Sequence, residues 1–256
     1  MITSSSNSRM KEIVQLNKKA KTRYEQRVFV VEGMKMCMEA PREQIQAMYV
    51  SEGFLADDGN RERIEGYEFE VVSDSVFSHI SDTKTPQGIL CLVRMPEYGL
   101  EDLLGERPHL LVLESIQDPG NLGTMVRTGE GAGITGLIMD RTTVDIFNPK
   151  AIRATMGSLF RVPFYVAEDL AGTVAALKGR GISMYAAHLS GAFSYDQPDY
   201  AAPCGFLVGN EAKGLSREIA DLADAYIRIP MEGKVESLNA AVASALLMYE
   251  ASRQRR

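Results

Sequence analysis

Two short clusters of glycine, amide-bearing and charged residues near the end of the sequence have the composition of a ligand-binding site. The first cluster, residues 209–215, follows the apolar run 204–208 and carries Glu211 between two glycines. A buried strand that ends in Gly-Asn, with a second glycine five residues on, predicts a tight loop whose backbone amides can approach a ligand. The second cluster, residues 229–239, also follows a strand-like run and ends in the triplet Ser-Leu-Asn.

A third cluster, residues 118–127, has the pattern Asp-Pro-x-Asn-x-Gly-x-x-x-Arg. It places Asn121 at a predicted helix start and Arg127 nearly two turns later. Ser237 is predicted to be the N-cap of a closing helix over residues 238–252. A hydroxyl, an amide and the positive end of a helix dipole should therefore converge at one point.

Taken together, these patterns resemble the SpoU/TrmH ribose 2′-O-methyltransferases of the SPOUT class. Three motifs in the family's order are a far stronger signal than any one of them alone. The resemblance implies an α/β domain with a parallel sheet and a deep trefoil knot, S-adenosylmethionine as cofactor, a homodimer through this C-terminal domain, and methyl transfer to an RNA 2′-hydroxyl. Composition and periodicity predict neither the knot nor the cofactor, the dimer or the reaction, and general topology rules argue against a knot.

The resemblance also implies roles for individual side chains. The catalytic candidates are Arg127, Asn121, Glu211, Ser237 and Asn239. The family assigns activation of the 2′-hydroxyl to the arginine that matches Arg127. Because a guanidinium is normally always charged, we favour a phosphate clamp and electrostatic aid, with the proton relayed to solvent, over a true base. Glu211 is expected to orient Arg127 or Asn239 or to balance charge, and Ser237 to cap its helix.

For the cofactor, the resemblance implies contacts with backbone groups and apolar walls at Gly209, Ile229 and Leu238. One position departs from the family pattern, because many members carry alanine two residues after the motif arginine and this chain has Gly129. Glycine inside a helix costs roughly 0.5–1 kcal/mol relative to alanine. We therefore expect the helix to be looser or more closely packed at this residue, with unchanged chemistry.

The first part of the chain predicts a small α/β domain of short strands and helices, including a helix over residues 8–20. The stretches 29–33 and 85–89 look like the substrate-binding domain of many SpoU/TrmH proteins, which is similar to a small ribosomal-protein fold that docks on structured RNA. We place this domain at residues 1–98, a linker at 99–108 and the methyltransferase domain at 109–256.

The formal net charge of −6 is unusual for an RNA-binding protein, because phosphate contacts normally require a basic surface. The distribution of charge is more informative than its sum. A basic cluster near the N-terminus provides the candidate RNA-binding residues Lys18, Lys19, Lys21, Arg23 and Arg27. The alternative for any one lysine is a solvated helix face.

From residue 110 onward, strands and helices alternate regularly, with helices expected at 121–131, 149–160, 169–178, 216–222 and 238–252. Short strands joined by helices predict a parallel sheet covered on both faces, with ligands at the carboxyl ends of the strands. Each of the three motifs follows a strand. The sequence therefore places the candidate site on one edge of this sheet.

Residues 131–136 match the dinucleotide fingerprint GxGxxG, which would suit a nicotinamide-dependent oxidoreductase. The fingerprint requires a preceding strand and a following helix, whereas the order here is reversed, so a helix C-cap is the better interpretation. A non-catalytic RNA-binding protein is the other alternative, and it would not need all five catalytic candidates.

Three cysteines without CxxC spacing, no metal-ligand pattern and no apolar segment of about 18 residues predict a cytoplasmic protein without a metal or a membrane span. The expected partner is RNA. Ribosomal RNA is favoured, because the N-terminal domain resembles that of members that modify ribosomal RNA, and transfer RNA is the alternative. Neither the target nucleotide nor its base follows from the sequence.

Overall fold

The computed structural model describes residues 1–256, whose contacts divide the chain into two compact units. The first unit contains Met1–Pro96 and Phe147–Phe160, and the second contains Glu97–Ile146 and Arg161–Arg256.

The helices and strands in chain order are α1 Ser8–Lys18, α2 Ala20–Gln26, β1 Val28–Glu32, α3 Met34–Glu39, β2 Ile45–Ser51, α4 Glu52–Leu55, α5 Asp58–Arg63, β3 Glu70–Val72, α6 Asp74–Ile80, β4 Ile89–Arg94, β5 His109–Leu113, α7 Pro119–Ala132, β6 Gly136–Asp140, α8 Pro149–Thr155, β7 Phe164–Ala167, α9 Leu170–Gly179, β8 Ser183–Ala187, β9 Phe193–Ser194, β10 Cys204–Val208, α10 Arg217–Ala220, β11 Ala225–Arg228 and α11 Ala240–Gln254.

The first unit is built on a four-stranded sheet in the order β1-β4-β2-β3. β4 runs antiparallel to both of its neighbours, and β3 runs parallel to β2. Helix α1 covers this sheet with Met10, Ile13 and Leu16, all of them fully buried. Their spacing of three residues puts them on one helix face, which explains why this lysine-rich segment folds as an amphipathic helix.

The predicted single helix 8–20 covers the whole of one helix, α1, and only the first residue of a second, α2. Lys19 has extended backbone angles of φ −123° and ψ 113°, so α1 stops at Lys18 and α2 begins at Ala20. Arg23 of α2 is 3% exposed, and its Nη1 donates a hydrogen bond to the Leu16 carbonyl oxygen at 2.6 Å. A buried arginine thus satisfies a carbonyl at the end of α1, where the helix leaves its last acceptors unpaired.

In the second unit, seven strands form a sheet in the order β7-β6-β5-β10-β8-β11-β9, and every neighbouring pair is parallel. The predicted α/β class with a parallel sheet is confirmed. All five residues of β5 and of β10 are buried, as expected for central strands with helices on both faces. Because the strands are parallel, the loops after β5, β6, β10 and β11 leave the sheet at the same edge.

Helix α7 begins at Pro119, two residues before the predicted start at Asn121, and ends at Ala132, one residue after the predicted end. The Asp118 side chain caps it by accepting a hydrogen bond from Asn121 N, and Pro119 occupies its first turn. Gly133 ends the helix in the left-handed region at φ +74°. The glycines of 131–136 therefore lie at a helix end and a strand start, which confirms the C-cap interpretation.

The stretch 99–108, for which we expected a linker, is packed into the second unit. It forms a 3-10 turn over Leu100–Leu103, and Leu103 is fully buried in the core of that unit. A Cβ added at Gly136 would lie 2.3 Å from Leu103 Cγ, so only glycine allows this turn to sit against β6.

The predicted helix 149–160 is also interrupted. Met156 and Gly157 have φ values of 52° and 101°, so α8 ends at Thr155 and a 3-10 turn follows over Ser158–Phe160. This segment contributes to the core of the first unit. The Phe147 ring lies 4.7 Å from the ring of Phe29 on β1, measured between centroids.

Candidate active site

Three loops at the carboxyl edge of the second sheet carry the predicted catalytic residues, and the structure brings three of these side chains into direct contact. Asn121 Nδ2 donates to Glu211 Oε1 at 3.1 Å, and Asn239 Nδ2 donates to Asn121 Oδ1 at 3.1 Å. The row Glu211–Asn121–Asn239 links the loops after β10, β5 and β11. Residues 90 and 118 positions apart in the sequence thus form one polar cluster.

The Glu211 carboxylate receives more than this one hydrogen bond. The backbone amides of Gln117 and Asp118 also donate to it, at 3.2 and 3.3 Å. Burial by itself would raise the pKa of Glu211, but the Asn121 amide and the surrounding backbone amides outweigh burial and lower the pKa below its usual value. Glu211 is therefore an anion at neutral pH and holds the start of α7 in place.

The loop that carries Glu211 is itself fixed by Asn210. The Asn210 side chain accepts hydrogen bonds from Ala212 N and Lys213 N at 3.0 Å and donates to the Ser115 carbonyl oxygen at 2.8 Å. At Gly209 an added Cβ would lie 2.2 Å from Leu215 N, so the two sides of the loop approach each other backbone to backbone. Glycine is required at this position by close packing.

Asp140 at the end of β6 belongs to the same edge, although no sequence motif singled it out. Its carboxylate accepts hydrogen bonds from Ser115 N at 2.9 Å, Thr143 N at 2.9 Å and Thr143 Oγ1 at 2.6 Å, and also from the Thr142 hydroxyl. Burial favours the neutral acid, but these bonds prevail and lower the pKa of Asp140. An acid at the end of a strand, with two threonines two and three residues later, was the sequence signal that could have identified it.

Arg127 lies on α7, six residues beyond Asn121 and therefore about 9 Å further along the helix axis. Its side chain is exposed and makes no hydrogen bond or ion pair within the chain. Glu130, three residues further along the same helix, pairs with Arg161 and not with Arg127. Arg127 is thus a cation without an internal partner, able to bind a phosphate or a developing negative charge.

The closing helix begins two residues later than predicted, and its cap is a different residue. α11 starts at Ala240, and the Asn239 side chain accepts hydrogen bonds from Ala241 N at 2.9 Å and Val242 N at 3.3 Å. Ser237 precedes the helix, is exposed and does not cap it. Asparagine is as good an N-cap as serine, and here its amide nitrogen also reaches Asn121.

The three residues predicted to hold the cofactor lie on the same edge. Gly209 follows β10, Ile229 follows β11, and Leu238 is adjacent to Asn239. Ile229 and Leu238 are half-buried and leave apolar surface beside backbone groups of two loops. Such a set fits the adenosine part of S-adenosylmethionine, whose ring needs apolar walls and whose edge needs backbone partners.

In the first unit, four of the five predicted RNA-binding residues, Lys18, Lys19, Lys21 and Arg27, are exposed. Arg23 departs from the expected basic surface, because it is buried and hydrogen-bonded to the end of α1. The pattern Lys-x-x-x-x-Arg-x-x-x-Arg does not distinguish an arginine that faces solvent from one that turns inward.

The stretches 29–33 and 85–89 meet in the first unit. Gly33 N donates a hydrogen bond to the Ile89 carbonyl oxygen at 2.9 Å, and Gln87 Oε1 accepts one from Met34 N, also at 2.9 Å. The Glu32 carboxylate accepts hydrogen bonds from Ser81 Oγ at 2.6 Å and Thr83 Oγ1 at 2.7 Å, which fixes the loop before β4. The two stretches are therefore parts of one substructure.

Comparison with known proteins assigns both units to families. The SpoU rRNA Methylase family model matches residues 108–249, and the MRM3-like substrate binding domain model matches residues 7–91. The chain belongs to the SpoU methylase family. This membership confirms the expected enzyme class, an S-adenosylmethionine-dependent RNA ribose methyltransferase.

Three relatives illustrate how far the similarity extends. The chain is 32% identical to the 23S rRNA (guanosine(2553)-2'-O)-methyltransferase RlmP of Bacillus subtilis, over 97% of both chains. The structure of an AdoMet-bound rRNA methyltransferase from Sinorhizobium meliloti is similar at 31% identity and a TM-score of 0.85, over 98% of this chain and 97% of that one. The A. aeolicus TrmH/SpoU tRNA modifying enzyme is 29% identical with a TM-score of 0.53, over 61% of this chain and 80% of that one.

Two further observations concern partners and cofactors. No group of three or more His, Cys, Asp or Glu side chains is arranged to hold a metal ion, and Cys37, Cys91 and Cys204 are free and buried. None of the helices combines the length and the apolar composition that crossing a membrane would require.

Proposed function

We propose that this SpoU-family enzyme methylates a ribose 2′-hydroxyl of ribosomal RNA, with Arg127, Asn121, Glu211, Ser237 and Asn239 as its catalytic residues. The observation that carries the proposal is the row Glu211–Asn121–Asn239 at the carboxyl edge of a parallel sheet, with the unpartnered Arg127 further along α7. Ligands of open α/β sheets bind at this edge.

Ribosomal RNA is favoured over transfer RNA by the extent of the similarities. The relatives named as rRNA methyltransferases match the chain over 97–98% of its length, including the first unit. The tRNA modifying enzyme matches 61% of the chain. A substrate-binding unit shared with rRNA methyltransferases supports a substrate of the same class. It also supports a location in the cytoplasm, where cysteines stay reduced.

Each catalytic side chain has a task that its geometry supports. A ribose hydroxyl is a weak nucleophile at neutral pH, so it must be oriented and the charge that develops on its oxygen must be stabilised. Arg127 is suited to hold a substrate phosphate and to stabilise that charge, but a permanently charged guanidinium is a poor base, so the proton passes to solvent. Glu211 fixes the Asn121 amide, Asn121 fixes the Asn239 amide, and the Ser237 hydroxyl is free to contact the substrate.

S-adenosylmethionine supplies the methyl group when it is bound. The residues that would hold it are Gly209, through the backbone of a closely packed loop, and the half-buried apolar side chains of Ile229 and Leu238. The deep trefoil knot implied by the family remains part of this proposal, and an experimental backbone trace through residues 204–240 would test it.

The proposal includes a homodimer formed through the second unit. Helix α11 exposes Val242 at 50%, Leu246 at 37% and Tyr249 at 45%. Their spacing of four and three residues puts them on one face of the helix, which forms an apolar stripe of the kind that marks protein interfaces. Leu246→Asp should convert a dimer to a monomer in sedimentation velocity, whereas a wild-type chain that sediments as a monomer would contradict the dimer.

Transfer of radiolabelled methyl from S-adenosylmethionine to RNA of cells that lack the protein tests the reaction and its substrate. We expect label in one ribosomal RNA band, at a position that resists alkaline hydrolysis because its 2′-oxygen is blocked. Label confined to transfer RNA would replace the ribosomal substrate with the alternative.

The variant Arg127→Ala distinguishes the hypothesis of an enzyme from that of a non-catalytic RNA-binding protein. We expect the variant to lose methyl transfer while it still binds S-adenosylhomocysteine in calorimetry. Arg217→Ala is the matched control, because Arg217 is an exposed cation of the same unit that pairs with Asp221. Equal activity of both variants would remove Arg127 from the mechanism.

A further inference from the structure

The first unit contains an open groove that the proposed methyl transfer does not use. It has a volume of about 500 Å³ and is lined by Met34, Lys35, Met38, Glu39, Arg63 and Gln87. We refer to it as the α3 groove, because α3 supplies four of these six side chains. At its rim the stretch 85–89 meets the start of α3 through the hydrogen bond between Met34 N and Gln87 Oε1.

The apolar part of the α3 groove comes from two methionines. Met34 and Met38 are four residues apart on α3, so they lie on the same helix face, and both are half-buried. Thioether side chains are flexible and polarizable, and they favour contact with aromatic rings. This surface is suited to a flat aromatic group such as an unstacked nucleobase.

The charged part of the groove is predominantly positive. Lys35 and Arg63 are both exposed, and neither makes a hydrogen bond or an ion pair within the chain. Glu39 is the only acidic side chain among the six. A guanidinium can bind a phosphate in bidentate fashion or stack on a base, and an ammonium adds a second positive charge. The charges therefore favour a ligand that combines an aromatic plane with a phosphate.

Gln87 adds a polar group with a defined orientation. Its Oε1 accepts the hydrogen bond from Met34 N, which leaves the Nε2 protons free to donate. Because the backbone fixes the amide, its donor is already oriented before a ligand arrives. Such a donor can contact an oxygen of a base or of a ribose.

We propose that the α3 groove binds one unpaired nucleotide of the RNA substrate, as a recognition site separate from the methylated nucleotide. The proposal rests on RNA being the substrate of the chain. It does not depend on the methyl transfer chemistry, because all six lining residues belong to the first unit.

Fluorescence anisotropy with the full-length chain tests the groove. The probes are a labelled RNA single strand of about 12 nucleotides, a length that one single-strand site can cover, and the duplex of the same sequence. For Lys35→Ala/Arg63→Ala we expect weaker binding of the single strand and a salt slope smaller by about 1.4, because each lost phosphate contact removes about 0.7. Met38→Gln should weaken single-strand binding without changing the salt slope.

The control is Lys11→Ala/Arg94→Ala, which removes two exposed cations of the same unit outside the groove. We expect this control to bind the single strand like the wild type. Equal losses in control and groove variants, or equal losses for single strand and duplex, would overturn the proposal in favour of non-specific charge attraction.

The outcomes for the groove and for catalysis are distinguishable. If the groove variants lose single-strand affinity while every variant fails to methylate RNA, nucleotide binding in the groove is supported and the proposed reaction is refuted. If methylation is intact and Met38→Gln binds the single strand like the wild type, the proposed reaction is supported and nucleotide binding in the groove is refuted. Calorimetry with S-adenosylhomocysteine, expected to be unchanged in the groove variants, shows that the second unit remains folded.

Discussion

The Asn121 side-chain nitrogen lies 3.1 Å from Glu211 Oε1, and this contact joins the start of α7 to the loop after β10. Three neighbouring donors, the Asn121 amide and the backbone amides of Gln117 and Asp118, converge on the same carboxylate. The Glu211 carboxylate therefore connects two loops through hydrogen bonds. Its charge determines which way the Asn121 amide faces, and that in turn determines the orientation of Asn239.

Glu211→Gln should lower the rate of methyl transfer. A glutamine cannot accept all three hydrogen bonds as an anion does, so the Asn121 amide is no longer held in one orientation. We expect kcat to fall about tenfold or more, the equivalent of one hydrogen bond to a charged group. Radiolabelled methyl transfer measures the effect. Glu218→Gln, which alters an exposed acid on α10, is the control, and a similar loss there would contradict the role of Glu211.

Asp140→Asn should change the pH dependence of the reaction as well as its rate. Asp140 holds Ser115, whose carbonyl accepts hydrogen bonds from Gln117 Nε2 at 3.0 Å and Asn210 Nδ2 at 2.8 Å. Loosening this loop should weaken the Gln117 amide contact and raise the pKa of Glu211 toward its usual value. The acid limb of kcat should then move to higher pH, and kcat should fall about tenfold.

The control for Asp140→Asn is Asp224→Asn. Asp224 also accepts a backbone hydrogen bond, from Met184 N at 2.8 Å, and it pairs with Lys178 at 3.0 Å at the opposite edge of the sheet. Its replacement should lower stability without moving the acid limb. If both variants moved the acid limb equally, Asp140 would have only a general structural effect.

His109 should make the stability of the protein depend on pH. Its Nε2 is buried without a hydrogen-bond partner, and burial followed by the nearby Arg255 charge lowers its pKa from 6.5 to about 4. Between these two values the unfolded chain binds a proton that the folded chain does not. The contribution of neutral His109 to the free energy of unfolding is therefore fully present above pH 6.5. It is lost as the pH falls toward 4, and the loss is at most about 3 kcal/mol.

Urea unfolding of His109→Gln at several pH values tests this prediction. Glutamine does not titrate, so the stability difference from the wild type should shrink as the pH falls from 6.5 to 4. His79→Gln removes an exposed histidine of the first unit and serves as the control. Parallel pH curves for His109→Gln and the wild type would show that His109 is not the titrating group.

Gly129→Ala should destabilise the protein even though alanine favours helices. The added Cβ would lie 2.4 Å from Ile134 Cδ1 and 3.5 Å from Met248 Sδ, which identifies close packing as the reason for the glycine. We expect a cost of about 1–3 kcal/mol from overpacking, which exceeds the gain in helix propensity. Thermal unfolding measures this cost.

The partner substitution Ile134→Val removes the Cδ1 atom that Gly129→Ala would contact. In the double variant the two changes should compensate, so that the double variant is more stable than the sum of the single effects predicts. Additive effects would mean that the cost at Gly129 has a cause other than Ile134.

Strand and helix periodicity in the sequence determined most of the architecture. The alternation of apolar strands and capped helices predicted the parallel sheet, and the strand-loop pattern placed Asn121, Glu211 and Asn239 at one edge, because parallel strands share the direction of their carboxyl ends. Local cap and turn chemistry likewise identified a helix C-cap within residues 131–136, which the structure places at Gly133.

Tertiary structure alone decided the features that depend on contacts between distant residues. Asn239 caps α11 in place of the predicted Ser237, and its side chain also contacts Asn121. The role of Asp140 depends on its hydrogen bond with Ser115, 25 residues away in the sequence. Arg23 turned inward because carbonyls at the end of α1 lacked partners. Sequence patterns record which groups are available, whereas burial and pairing of those groups depend on the folded chain, in which a buried polar group must find a partner.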